Sequence, residues 1–350
     1  MTTTTEWRWP AEWEAQDAIL LAWPHADTDW VANLADVQTS YVALIAAICR
    51  FQRALIIVPD ADTESAVRLR LADADVDSAQ LQFVHAPYDD TWLRDSGPVT
   101  LTANDRFLLN DFRFTGWGGK FDASLDDLLV GVLHAANTFR DADLQAWDFA
   151  LEGGAIDGDG KGSVLTTFNC LHKRHPTLSR DALRAELARM LHADRILMLE
   201  SGELQGDDTD AHIDTLARFA AEDAIVFQAC DDQDDPHYAP LAAMRDEISA
   251  LRTRNGAPYR LFPMPWARAV HAADGRRLAA SYANFLIIND AVLMPAYGDE
   301  VADAEAARVL ARAFPKREVI AVPCRALIEQ NGSLHCVTMQ LPRGVLNVQA

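Results

Sequence analysis

Apolar and polar positions along this chain fall into a pattern of paired short runs. An apolar run, a turn of Asn, Asp or Gly type and a second apolar run recur four times, the pattern of a β-hairpin. Residues 97–112 turn at Asn104-Asp105, and residues 153–168 turn between Gly158 and Gly162. Residues 216–229 turn near Glu222-Asp223, and residues 284–297 turn at Asn289-Asp290. Between the hairpins the apolar spacing becomes helical, at Val31 to Phe51, Ser179 to Leu191 (Ser179 as N-cap) and Glu300 to Phe314. Hairpins followed by helices, at a period of roughly 55–65 residues, predict an α/β fold of repeated ββαβ-like units in one domain spanning residues 1–350. So long a period fits a closed ring better than an open solenoid.

Composition narrows the function classes. The chain has 350 residues, 49% hydrophobic and 24% charged, with net charge −21. These fractions predict a folded protein with a sizeable core. The negative charge argues against nucleic acid or an anionic membrane as partner and favours cationic ligands. No basic-then-apolar leader opens the sequence, and no apolar run approaches a bilayer span. The five cysteines, Cys49, Cys170, Cys230, Cys324 and Cys336, form no CxxC pair. Their odd number predicts reduced thiols and a cytoplasmic location.

Four segments place polar groups beside glycines at the edges of apolar runs: 89–98, 151–157, 206–219 and 331–342. Cys336, read as entering a strand after Asn331-Gly332-Ser333, is a candidate nucleophile if a nearby cation or base yields its thiolate. The other four cysteines, in or beside apolar runs, read as small buried hydrophobes. If residues 211–216 are extended, His212 and Asp214 project from one face, and an acid beside an imidazole suits proton transfer. A His–Asp surface pair would look the same. Asp95, beside Trp92 and Arg94, is either a seat for a planar cation or a turn former before Ser-Gly-Pro. Glu152, before Gly153-Gly154, either orients His212 or caps the turn. A thiol, an imidazole and three carboxylates together suit attack on a positively charged electrophile.

These motifs resemble the agmatine deiminase and bacterial-type peptidylarginine deiminase family, within the guanidino-group modifying superfamily. The resemblance runs from Pro10-Ala11-Glu12-Trp13-Glu14 and Ala22-Trp23-Pro24-His25 through residues 91–98, Gly116-Trp117-Gly118-Gly119-Lys120 and Glu152-Gly153-Gly154. It ends with residues 207–210, His212-Ile213-Asp214 and His335-Cys336. The resemblance implies a fivefold pseudo-symmetric α/β propeller, the pentein fold, with a central site. It implies Cys336 as nucleophile, His212 as general acid/base, Asp95 and Asp214 as guanidinium-gripping carboxylates and Glu152 as the acid that positions the histidine. Trp92 and Trp117 would line the substrate channel.

It further implies hydrolysis of agmatine to N-carbamoylputrescine and ammonia through a thiouronium, in polyamine (putrescine) synthesis, with no cofactor or metal and often as a homodimer. Peptidyl-arginine or another small guanidine is the alternative substrate. A Cys–His amidase would need oxyanion donors where this chain has carboxylates. A non-enzymatic metal- or guanidine-binding module on His212, Asp214, Asp95 and Cys336 would lack compact ligand spacing. Three departures from the family pattern stand out. Ala211 replaces a frequent glycine, Gly332-Ser333 replaces consecutive glycines, and residues 170–177 depart from an Asn/Arg-rich run.

Overall fold

The computed structural model describes residues 7–347. The expected domain also takes in residues 1–6 and 348–350, which lie outside the described residues. Short strands dominate because β-branched and aromatic residues alternate with turn formers. The first three are β1 (Gln16–Ala22), β2 (Arg53–Val58) and β3 (Leu81–His85). The hairpin β4 (Val99–Ala103)/β5 (Arg106–Arg113) is followed by β6 (Ala142–Ala150). Then come β7 (Ile156–Gly158)/β8 (Ser163–Thr167) with β9 (Arg195–Leu199), and β10 (Ala217–Ala221)/β11 (Ala224–Gln228) with β12 (Arg260–Met264). The hairpin β13 (Leu286–Ile288)/β14 (Ala291–Ala296) is followed by β15 (Glu318–Pro323), and β16 (Met339–Pro342) ends the series.

All four expected hairpins form, at the expected turns. Asn104 and Asp290 hold φ of 57° and 59°, the left-handed conformation their short polar side chains tolerate. Each hairpin's second strand pairs in parallel with a third strand, giving the sheets β4-β5-β6, β7-β8-β9, β10-β11-β12 and β13-β14-β15. The third strands follow crossovers that carry helices, as parallel pairing demands. A fifth sheet joins the chain ends: β16 pairs antiparallel with β1, and β1 pairs in parallel with β2, which carries β3 on its far edge. Among the described residues there are thus five small sheets, none closed on itself.

The helices Tyr238–Ala250, Glu300–Ala313 and Leu34–Cys49 pack on β9, β12 and β15 respectively, each strand belonging to the sheet before the helix's own. Expected helix boundaries move by at most three residues, and the start at Glu300 holds. Ser179 caps Arg180–Met190 by accepting from the Ala182 N–H, and Asp299 caps Glu300–Ala313. The first helix starts at Leu34 and not Val31, because Asp29–Ala32 forms a separate 3₁₀ turn. Among the described residues no helix is long and apolar enough to cross a membrane.

A short turn leads into the first strand of each unit. Leu93–Ser96 precedes β4, Gly153–Ala155 precedes β7 and Ile213–Thr215 precedes β10. Residues 281–284 precede β13 and residues 333–338 precede β16. Polar side chains on these five turns converge to make the site.

Candidate active site

Backbone geometry aims each group. Asp95 sits on the helical turn Leu93–Ser96. Its Oδ1 accepts from the Gly154 N–H at 2.9 Å and its Oδ2 from the Trp117 indole N–H at 2.9 Å. Trp117 reaches it from a run of left-handed residues, Gly116 to Gly119, itself at φ 57°, a conformation that costs a non-glycine residue about 1 kcal/mol. Trp92 packs against Gly332 beside the cysteine turn, edge-on to Trp117 at 6.3 Å, and donates to Asp90 Oδ2 at 3.1 Å.

His212 and Asp214 do meet in one site, but not by strand alternation. Residues 213–215 form a single 3₁₀ turn with His212 at its N-terminal boundary. Asp210 and Ala211, at φ 69° and 75°, turn the chain into it, and Thr209 Oγ1 accepts from the His212 N–H. Ala211 therefore holds a glycine-like conformation, which accounts for the glycine expected there. Cys336 likewise lies in a turn that precedes β16, not in a strand. Its Sγ is 3.7 Å from Asp214 Oδ2 and 3.5 Å from Asn284 Oδ1.

Gly154 marks where the groups meet. A Cβ there would lie 2.6 Å from His212 Nδ1, 2.8 Å from Asp95 Oδ1 and 3.2 Å from Asp214 Oδ2. His212 Nδ1 is 3.7 Å from Asp95, and its Nε2 is 3.7 Å from Glu152 Oε2, ionic contacts too long for hydrogen bonds. Among the described residues, both His212 ring nitrogens and Asp214 Oδ1 are buried without a hydrogen-bond partner. A buried carboxylate oxygen without a partner, at Asp214 Oδ1, favours a donor-rich cation.

Burial and like charge set the protonation states. Burial, reinforced by Asp214 and Glu152, pushes Asp95 up to about 6 against the pull of His212 and Trp117. Burial pushes the Cys336 thiol well above its usual value, and Asp214 and Asp95 add to the effect. Cys336 is thus a thiol at neutral pH. Burial opposes charge on His212, but Asp95 above all outweighs it and raises the imidazole well above its usual value. Glu152 and Asp214 stay below the ordinary carboxylate range despite burial, through His212 and Arg174 in one case and chiefly His335 in the other.

The convergence includes four residues that the motif reading had not assigned to the site. Arg174 donates to Glu152 Oε1 at 2.6 Å and to Asp210 Oδ2 at 2.7 Å, so the helix Phe168–Arg174 fixes Glu152. Asn284 Oδ1 accepts from the His335 N–H at 2.9 Å. His335 and Glu12 complete the buried network beneath Asp214. Asn284 stands before the first strand of its sheet unit as Asp95, Glu152, Asp214 and Cys336 stand before theirs, so the repeat itself was the available signal. Cys170 also departs from expectation. It is buried, but its Sγ faces Glu152 Oε2 at 3.9 Å and His212 lies beside it. Among the described residues, Glu152, Cys170 and His212 are the group whose donor atoms stand close enough to hold a metal ion.

A cavity of about 220 Å³ is lined by Trp117, Phe114 and Phe121 and by Asp27, Asp29, Asp89, Asp90, Asp122 and Asp126. Burial pushes Asp90 and Asp126 up to about 7.

Comparison with known proteins agrees with this geometry. A family model described as Porphyromonas-type peptidyl-arginine deiminase matches residues 8–342. An agmatine deiminase of Pseudomonas putida is 34% identical, covering 96% of this chain and 95% of its own. A Porphyromonas gingivalis structure, provisionally described as an arginine deiminase, is 43% identical with a TM-score of 0.89, covering 97% and 100% of the two chains. An agmatine deiminase from C. jejuni, with a cysteine replaced by serine and substrate bound, is 33% identical with a TM-score of 0.88, covering 97% of each chain. The fold is thus the mixed α/β fold of these deiminases, and the chain belongs to the Porphyromonas-type peptidyl-arginine deiminase family.

Proposed function

We propose that this chain is an agmatine deiminase, hydrolysing agmatine to N-carbamoylputrescine and ammonia. The observation that carries the reading is the meeting of Asp95, His212 and Asp214 at Gly154, with Cys336 Sγ 3.7 Å from Asp214. Asp95 and Asp214 grip the guanidinium nitrogens and present its central carbon to the thiol. Docking a cation between these carboxylates reverses what holds Cys336 protonated, so the substrate itself promotes the thiolate. The thiol proton passes to solvent as the cation docks, sulfur attacks the central carbon, and the protonated His212 gives its proton to the departing nitrogen, which leaves as ammonia. His212 then takes a proton from water, which adds to the thiouronium; the C–S bond breaks, the adduct's hydroxyl proton returns to the sulfur, and the ureido product leaves. Glu152, held by Arg174, orients the imidazole. Trp92 and Trp117 wall the channel.

The relatives named agmatine deiminase and the substrate-bound C. jejuni structure support agmatine. So does the acidic, aromatic-walled cavity beside Trp117, which attracts a dication. We also infer a fivefold pseudo-symmetric propeller of one catalytic domain. Five equivalent turns carrying the site groups, and helices that each pack on the preceding sheet, support that arrangement.

The test is ammonia release from agmatine, free arginine and a blocked arginine peptide offered in parallel. The expected result is the highest kcat/KM on agmatine, unchanged by exhaustive EDTA treatment. Preference for the peptide keeps the thiol chemistry and replaces the substrate. Loss of activity with EDTA, restored by zinc, overturns the metal-free mechanism.

A further inference from the structure

His335 lies beside Cys336 in sequence but turns its ring away into the protein interior. Its Nδ1 is 2.8 Å from Asp214 Oδ2 and its Nε2 is 2.8 Å from Glu12 Oε2. A carboxylate only accepts, so each ring nitrogen facing an ionised carboxylate must carry a proton. Glu12 leaves no room for the alternative of a protonated acid. Its Oε2 also accepts from Arg218 Nη2 at 2.9 Å and lies 3.6 Å from Arg94, while its Oε1 accepts from the Ile287 N–H at 2.7 Å. Every neighbour of that carboxyl is a donor.

Charge balance points the same way. In this buried cluster the guanidiniums of Arg94 and Arg218 pair with the carboxylates of Glu12 and Asp157, and the third carboxylate, Asp214, has the His335 ring as its partner. A neutral His335 would leave a buried excess of negative charge, and an imidazolium cancels it. The ring is held in place from its own backbone, because its N–H donates to Asn284 and its carbonyl accepts from Thr338 Oγ1 at 2.9 Å.

We propose that His335 is a positioning residue, an imidazolium held between Glu12 and Asp214 that keeps Asp214 ionised to receive the guanidinium. The need arises because Asp214 shares its pocket with Asp95 and the Cys336 thiol, and clustered acids tend to share protons. The two carboxylates differ accordingly. Asp95, with no imidazolium hydrogen-bonded to it, is raised to about 6, whereas Asp214 stays below the ordinary range. One carboxylate is therefore always charged when substrate arrives. The inference rests on the guanidine-hydrolysing reading for its consequence but not for its protonation state.

Two measurements test it. In the unmodified, substrate-free protein, ¹⁵N-histidine NMR, with His335→Gln used to assign the signal, should find both ring nitrogens of His335 protonated at about pH 8. A neutral tautomer there overturns the proposal. In His335→Gln, the acid limb of kcat/KM on the best guanidine substrate should move upward by about one pH unit or more, chiefly through KM. A uniform fall with the limb unmoved would assign His335 a purely structural role and overturn the proposal. Absence of turnover on every guanidine would defeat the assigned reaction while the NMR result still decides the protonation.

Discussion

At the scale of single residues, chemistry-bearing positions were legible where a short motif fixes both side chain and backbone. Asp95, Glu152, His212, Asp214 and Cys336 all reach the site. Arg174, Asn284 and His335 were hidden because the groups they meet in the site lie 22, 51 and 51 residues away or more, and no local pattern encodes such pairings. Cys170 was read as inert packing because a buried thiol beside apolar residues looks alike in sequence whether or not an imidazole faces it. The proposed nucleophile, Cys336, has a direct test. Cys336→Ala should lose turnover by on the order of 10⁴-fold or more while the fold persists, because in the proposed reaction its sulfur supplies the attacking electron pair. Retained turnover would move the nucleophile elsewhere, with Cys170 the next thiol to examine. Gly154 is a sharper probe of geometry, since its backbone lies outside the left-handed region and only space is at issue. In Gly154→Ala the new methyl would press on His212, Asp95 and Asp214 together. Overpacking should cost roughly 1–3 kcal/mol, and displaced reacting groups should lower kcat/KM about 100-fold. Kinetics close to those of the unmodified protein would show that the three groups need not converge there.

At the scale of elements, hairpins were legible and sheets were not. A hairpin is specified by adjacent residues and a turn, so Asn104-Asp105 and Asn289-Asp290 announce themselves. The third strand of each sheet arrives after a crossover, and its parallel pairing rests on contacts distant in sequence. β6, for instance, reads ADLQAWDFA, a partly exposed and polar run with little to mark it as a strand. β16 pairs with β1 from the opposite end of the chain, which no local pattern predicts. Helix ends were legible where a cap is present. Asp299 accepts from the Ala302 N–H at 3.2 Å and also from the Arg268 N–H at 3.1 Å. Asp299→Ala should therefore lower stability by about 1 kcal/mol in denaturant titration, with kcat/KM unchanged. A coupled loss of activity would mean that the helix Glu300–Ala313 bears on the site and not only on the sheets it packs against.

At the scale of the whole molecule, acidity and function pull against stability, and the conflict has a sign that can be measured. The chain carries net charge −21, and several acids are buried where ionisation is unfavourable. Asp90 and Asp126 are pushed up to about 7 and Asp95 to about 6, against an ordinary value of 3.8. Between 3.8 and those folded values the native state binds more protons than the unfolded chain. Stability therefore falls as pH rises through them. His212 acts in the same direction: its raised folded value contributes stability at low pH that is lost as it deprotonates. The depressed carboxylates, Glu152 and Asp214, begin to matter only on acidification below the ordinary carboxylate range. The protein should accordingly be more stable at about pH 6 than at about pH 8, by on the order of 2 kcal/mol in denaturant titration. Greater stability at the alkaline end would mean that these acids are ionised without penalty, and the low-dielectric pocket that restrains Cys336 until a cation arrives would lose its physical basis.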